Sequence, residues 1–367
     1  MMMIMPGGNV PLTIKLGPLK RISASRFFEM QLCSFREVLV SNGVEKLLPS
    51  SPNAYFGSAA HSFLQKVELG IIYKVEDFEN EWLKTLSQIE QLLLKSKIEK
   101  HLVPLSKSVN QYEIRKRLLF KKASSLITSG RPKLNTTSNL IQGIERWYET
   151  RDGVVGGYLD KVLFTESGYE IIDYKTGAII DENTLEIKDS YKYQLFIYAA
   201  LFYENLNDWP SAIKIQGLNG EEFSINYCKD ECVKLLDQAR ELFYHVNDLV
   251  TRFVNYTELQ KHLAKPTPEH CRYCGFRPLC NAYWKMRESS PQLKWGNDIR
   301  GQFKSLTTLG NGTHLLKIKS GLKTYKIRGL KPDRHRIVDG SFVSIYNLSA
   351  DNNENSFNER LLTTIYT

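Results

Sequence analysis

The segment from Gly156 to Gly177, GGYLDKVLFTESGYEIIDYKTG, concentrates the residues best able to do chemistry. With Glu166 and Ser167 at the centre of a turn, residues equally far on either side of it pair across two strands, so Asp160 faces Asp173. Asp173 and Lys175 are two apart on one strand and share its face. A register slip of two residues would set Asp160 opposite Lys175 and keep all three together. Two carboxylates and an ammonium thus converge among Val, Ile and Leu. Like charges so close do not stay ionised together without a cation between them. A hard divalent ion such as Mg²⁺ or Mn²⁺ suits that need. Lys175 would then orient an attacking water and counter the charge developing on a phosphate. On a solvated ribbon the same residues would make only a surface salt bridge, and an isolated Asp-x-Lys carries little weight alone.

The surrounding elements add to the pattern. The helix expected from about Ser190 to Asn205 carries a stripe of Tyr191, Gln194, Leu195, Tyr198, Ala199 and Phe202. Gln194 is polar on an apolar face and needs a hydrogen-bond partner, which the Asp173–Lys175 strand can supply. Upstream, a helix starting near Phe56 and carrying Gly57 and His61 offers an imidazole as a further metal ligand, although a lone His is more often a core residue with its own partner. His270-Cys271-Arg-Tyr-Cys274-Gly-Phe-Arg-Pro-Leu-Cys280 sets three thiols at a spacing that holds a metal or cluster. His270, Cys33, Cys228 and Cys232 are the candidates for a fourth ligand. Cys228 and Cys232 read more simply as apolar residues. Cys33, in the first helix, would staple that helix to the far end of the domain. Zinc in a three-Cys, one-His site fits the same spacing.

The chain has 367 residues, a formal net charge of +9, 42% hydrophobic and 24% charged residues. That composition excludes a disordered or fibrous protein. No apolar run approaches the ~20 residues that cross a bilayer. MMMIMPGG lacks the basic flank of a signal peptide, so a cytoplasmic location is expected. Six cysteines in such a chain read as thiols, metal or cluster ligands. Residues 291–349 hold eleven Lys/Arg against three acids, which points to a polyanion such as nucleic acid, or equally to a well-solvated surface.

Along the chain, residues 1–18 read as a leader and Ile22 to Val40 as a helix capped by Ser23 or Ser25. Helical spacing recurs at 75–103 and from Gln111 to Leu126, the latter with the basic cluster Arg115, Lys116, Arg117, Lys121 and Lys122, which would track a phosphate backbone or, equally, form a solvated face. Period two then marks strands at Glu145 to Thr150, Val154 to Phe164 and Tyr169 to Tyr174, with a turn at Asp152-Gly153. A hairpin follows around Asn219-Gly220, then a long amphipathic helix from Asp230 to about Phe253. From about 297 to 348 short strands separated by glycines suggest a small closed barrel of the OB type, where Lys317, Lys319, Lys326 and Arg328 would hold phosphates and Tyr325 and Tyr346 would stack bases. The segment SADNNENSFNE and the rest of 351–367 read as a loose polar tail.

Together these residues resemble a RecB-type nuclease of the PD-(D/E)XK superfamily, in the iron–sulfur branch with the AddB nuclease domain and the CRISPR-associated RecB-like exonucleases. The motifs stand in that family's order: SASRFFEMQLC, GSAAHSFL, GYLDKV, IIDYKTG, QLFIYA and CRYCGFRPLC. The resemblance covers roughly residues 20–285. It implies an α/β protein with a restriction-endonuclease-like core, a mixed sheet flanked by helices, here followed by the OB-like module. The nuclease domain would span 19–288 with a helical insertion at about 70–135, and the basic module 291–350. By resemblance His61, Asp160, Asp173 and the Tyr174 carbonyl would bind Mg²⁺ or Mn²⁺, and Lys175 would be catalytic. Gln194 and Tyr198 would support the site or hold DNA, and Cys33, Cys271, Cys274 and Cys280 would hold a structural [4Fe–4S] cluster. The implied activity is hydrolysis of DNA phosphodiesters, as an exonuclease in repair, recombination or anti-phage defence. DNA and a helicase or other repair or defence protein are the implied partners, with no membrane. Asp173 stands where many relatives have Glu, MQLCS lacks the Pro that commonly follows the first Cys, and the basic module favours a stand-alone enzyme over a CRISPR role. The alternatives are a catalytically idle DNA-binding module serving a helicase, and a zinc-stapled RNA-binding protein.

Overall fold

The computed structural model describes residues 14–129 and 143–367. Most of the expected leader and the end of the expected helical insertion therefore lie outside the described residues. Residues 14–19 are not a free extension. Ile14, Leu16 and Leu19 pack on the core, and Asn42 and Asn247 accept hydrogen bonds from the Gly17 and Leu19 amides.

The short strand β1 (Ile22–Ser23) leads into α1 (Ala24–Leu32) and α2 (Ser34–Ser41). A single helix was expected here; the chain breaks at Cys33, whose backbone is extended (φ −158°, ψ 91°). The break lets Arg26 on α1 reach the buried Glu37 on α2 with two hydrogen bonds of 2.8 and 2.9 Å.

Next, α3 (Pro52–Glu68) starts with Pro52 in its first turn behind the Ser51 cap, where a missing amide hydrogen costs nothing. It packs with α4 (Phe78–Lys95), α5 (Leu105–Ser108) and α6 (Tyr112–Thr128) around a separate aromatic core. Phe56, Phe63, Phe78, Trp82 and Tyr112 meet there edge to face, and the Trp82 indole donates to the Tyr112 hydroxyl at 2.9 Å.

The main sheet comprises β1, β2 (Gly143–Glu149), β3 (Val155–Thr165), β4 (Gly168–Lys175), β5 (Ala212–Gly217) and β6 (Glu222–Ile225). The apolar helix α7 (Asp189–Leu206) crosses over between β4 and β5, which pair in parallel. Buried residues on α1, α2, α7, α8 (Lys229–Arg252) and α9 (Tyr256–Leu263) share one core with the sheet. Across the sheet, Glu68 at the end of α3 meets Lys161 at 2.6 Å and the Tyr174 hydroxyl at 2.7 Å. The sheet therefore has helices on both faces.

After α10 (Pro268–Cys271) and α11 (Asn281–Ser289) comes a second sheet: β7 (Ile299–Thr308), β8 (His314–Ser320), β9 (Lys323–Leu330), β10 (Phe342–Tyr346), β11 (Ser349–Ala350), β12 (Ser356–Asn358) and β13 (Thr364–Tyr366). It is a curled half-barrel whose strand path runs from β11 to β13 without the expected closure. The tail expected to be loose supplies β12 and β13, because Phe357 and Ile365 anchor in the module's core. Arg334 reinforces this, pairing with Glu359 and donating to the Leu361 and Thr363 carbonyls at 2.8 and 3.0 Å. Among the described residues no helix is long and apolar enough to cross a membrane.

Candidate active site

The expected β3–β4 register holds. Lys161 pairs with Ile172 and Thr165 with Gly168, as a turn centred on Glu166–Ser167 requires. Along the edge that carries β4, β3 also pairs with β1 at Val155 and Gly156, while β2 lines the opposite edge. The two partners leave a fork at residues 157–160, and Asp160 sits at its mouth. There the Tyr174 amide donates to Asp160 Oδ2 at 2.8 Å. Burial on β3 passes from Val155, Gly157 and Leu159 to Asp160 and Val162, so the alternation shifts by one residue at Asp160. Such local distortion re-aims a side chain. Gly157 is needed beside it, since a Cβ there would lie 2.8 Å from the Tyr198 ring.

On β4, Asp173 is buried and Lys175 Nζ lies 2.6 Å from its Oδ2. Gln194 joins the two: Lys175 donates to its Oε1 and its Nε2 donates to Asp173 Oδ1, both at 2.9 Å. The same amide reaches the Tyr198 hydroxyl at 3.0 Å. This is the partner that a lone glutamine on an apolar helix face demands. From α3, His61 Nε2 shares a 3.0 Å hydrogen bond with Asp160 Oδ2. His61, Asp160, Asp173, Tyr174, Lys175, Gln194 and Tyr198 are thus brought together.

Burial raises the Asp173 carboxyl, against the pull of Lys175 and with a push from Asp160. Burial also opposes the charge on Lys175, but the Asp173 carboxylate outweighs it and holds the ammonium above its ordinary range. The hydrogen bond to Asp160 raises His61 despite burial. Asp173 Oδ2 is buried, and the Lys175 ammonium is its partner. A buried carboxylate oxygen with a free lone pair, beside a second carboxylate, is a donor set for a hard cation. Among the described residues no three His, Cys, Asp or Glu side chains are gathered closely enough to enclose an ion. In this arrangement Lys175 and His61 are the groups that face the carboxylates.

One residue was missed. Glu145 lies 3.8 Å from His61 Nδ1 and has a left-handed backbone, φ 49°. Counting outward from the Asp152-Gly153 turn places it across from Asp160.

Cys33, Cys271, Cys274 and Cys280 are all free thiols. Burial raises Cys271, Cys274 and Cys280, and Cys33 adds to the effect at each, so the four are neighbours. Cys33 owes its place to the break between α1 and α2. Cys232 is buried in the main core and belongs to it.

The expected nucleic-acid contacts fare unequally. Arg115 reaches the Thr176 carbonyl at 3.5 Å, next to Lys175. Lys116 is engaged by Glu79 at 2.6 Å and is not a free cation. Lys319, Lys326 and Arg328 are exposed and Lys317 partly so, with Lys317 directly opposite Lys326. Tyr346 is not free to stack, and Tyr325 is half-buried. Tyr325 packs inward beside Phe357, and Tyr346 is buried against Trp284 and Tyr366.

An exonuclease candidate from Eubacterium rectale is similar in structure at 13% identity, covering 72% of this chain and 88% of its own, with a TM-score of 0.36. SSO0001 is similar at 18% identity, covering 53% of this chain and 97% of its own, with a TM-score of 0.23. No curated protein matches the chain. The sequence profile of the PD-(D/E)XK nuclease superfamily matches residues 21–281, a span that runs from β1 to the last of the clustered cysteines and contains the whole carboxylate site. The chain belongs to the PD-(D/E)XK nuclease superfamily.

Proposed function

We propose that this nuclease is a divalent-metal-dependent deoxyribonuclease, an exonuclease of DNA repair, recombination or anti-phage defence. The observation that carries the reading is the Gln194 amide bridging Asp173 and Lys175 beside Asp160. Asp160, Asp173, the Tyr174 carbonyl and His61 would hold Mg²⁺ or Mn²⁺. When bound, such an ion polarises a phosphate and lowers the pKa of its water. Lys175 offers an ammonium to the phosphate and the attacking water. Gln194 keeps that ammonium aimed, and Tyr198 keeps Gln194 from turning. The experiment is cleavage of labelled DNA with and without divalent cation, set out at the end of the Discussion.

The four cysteines would hold a [4Fe–4S] cluster, tying the α1–α2 break to the segment before the basic module. Four part-buried thiols, three of them sensing the charge of Cys33, support that reading. Protein purified anaerobically is expected to contain iron and acid-labile sulfide, and Cys33→Ser to lose both. Zinc without iron in the wild type would rule the cluster out.

The exposed cations of β8 and β9 would carry DNA. Like charges directly opposite one another weaken a sheet, and the module's buried acids Glu359 and Asp298 are taken by Arg334 and Arg277. Phosphates would relieve the Lys317–Lys326 repulsion. The Lys317→Glu/Lys326→Glu variant is expected to bind DNA with a salt slope smaller by about two. An unchanged slope would remove this face from the DNA path. A helicase would be the partner that feeds the strand to the carboxylate site.

A further inference from the structure

We infer that Trp147 and Tyr158 form a stacking subsite for unpaired DNA bases beside the cleavage site; the inference rests on the nuclease reading above. The two residues sit directly opposite on β2 and β3, with ring centroids 4.8 Å apart at 62°. Tyr158 is 57% exposed and Trp147 37%. Tyr158 is two residues from Asp160, about 7 Å along the strand.

The indole is fixed in place. Its N–H donates to Glu149 Oε2 at 3.0 Å, and Arg21 binds the same oxygen at 2.9 Å. The Arg21 guanidinium lies 4.9 Å from the ring centroid. Beneath the ring is Gly156, where a Cβ would come within 2.6 Å of the indole. A cross-strand aromatic pair also stabilises the sheet that carries it. Here Trp147 is clamped, and it props up a tyrosine whose surface is mostly open.

An unpaired strand is the occupant this surface fits. Every base has a π-face, so stacking tolerates any sequence, whereas a duplex keeps its base faces to itself. Tyr346 of the basic module is buried and Tyr325 half-buried against Phe357, and Tyr191 is engaged by Lys175, so this pair offers the more open rings. A strand stacked on Tyr158 would pass the fork on β3 at whose mouth Asp160 sits.

The test is binding by the intact chain in chelator, with a single-stranded oligonucleotide and a strand of equal length whose bases are replaced by abasic sites. Wild type is expected to bind the normal strand about 5-fold or more tightly than the abasic one, and to show quenched tryptophan emission with it. Tyr158→Ala is expected to lose most of that preference, Tyr158→Phe to keep it, and Trp147→Phe to lose the quenching. Equal affinity of wild type for both strands, binding to neither, or a preference unchanged in Tyr158→Ala would overturn the inference. Cleavage by wild type is scored separately. Cleavage without base preference sinks the subsite alone, and base preference without cleavage sinks the nuclease reading alone.

Discussion

Replacing Lys175 with alanine is expected to lower the rate of phosphodiester cleavage by about 10²–10³-fold, the range seen when one positioned charge-stabilising donor is removed. The side chain is held at three points: Asp173 Oδ2 at 2.6 Å, Gln194 Oε1 at 2.9 Å, and the Tyr191 ring, whose centroid is 4.7 Å from Nζ. Such a side chain is preorganised, so its charge needs no rearrangement when the phosphate reacts. Lys175→Arg is expected to recover little, because a planar fork does not fit a socket shaped around a compact ammonium. Gln194→Ala tests the same arrangement from the other side. It leaves the charge in place and frees its direction, so a smaller loss is expected than for Lys175→Ala. Single-turnover cleavage rates, with DNA affinity measured alongside, check both. A Lys175→Ala enzyme within a factor of three of wild type would remove the lysine from the chemistry.

Arg277→Ala is expected to cost about 3–5 kcal/mol of stability, as removal of one partner of a buried ion pair does. Arg277 is 3% exposed, and its Nε stands 3.1 Å from Asp298 Oδ2. Its terminal nitrogens donate to the Cys271 and Arg272 carbonyls at 2.8 and 2.6 Å and to Asn347 Oδ1. Asp298 also accepts from the Tyr283 hydroxyl at 2.7 Å and the Asn347 amide at 2.8 Å. One guanidinium therefore ties the cysteine segment to both the entry of the second sheet and the turn after β10. Alanine would leave Asp298 buried without a counter-charge. Arg277→Met/Asp298→Leu removes both charges and is expected to lose less than the single variant, since a buried pair exchanged for apolar residues is often close to neutral. Denaturant midpoints of the three proteins at equal slope make the comparison. A single variant within about 0.5 kcal/mol of wild type, the range of an ordinary surface substitution, would contradict it.

The carboxylate site was legible in the sequence because a hairpin turns spacing into geometry. The register about Glu166–Ser167 placed Asp160, Asp173 and Lys175, and one polar residue on an apolar helix pointed to the Gln194 bridge. What escaped depended on departures from regular structure. Cys33 lies in a sequence with helical spacing on both sides, and only tertiary pairing such as Arg26–Glu37 makes the break worthwhile. Strand β7 lacks a clean alternation because its register shifts between Phe303 and Ser305. Tyr325 and Tyr346 lie on strands of a basic module, where stacking on bases is the natural expectation. Alternation alone does not say which face of a curled sheet is covered, and α11 covers Tyr346 through Trp284. The polar average of the tail suggests a loose segment, although two apolar residues suffice to add a strand to an open edge.

The most direct test of the central claim is the cleavage of end-labelled single- and double-stranded DNA by wild type and Asp173→Asn, with Mg²⁺, Mn²⁺ or chelator. The site described here predicts labelled fragments from wild type only when a divalent cation is present, and none from Asp173→Asn under any condition. Equal cleavage by the two proteins, or a wild type that binds DNA and cuts neither substrate with either cation, would contradict it.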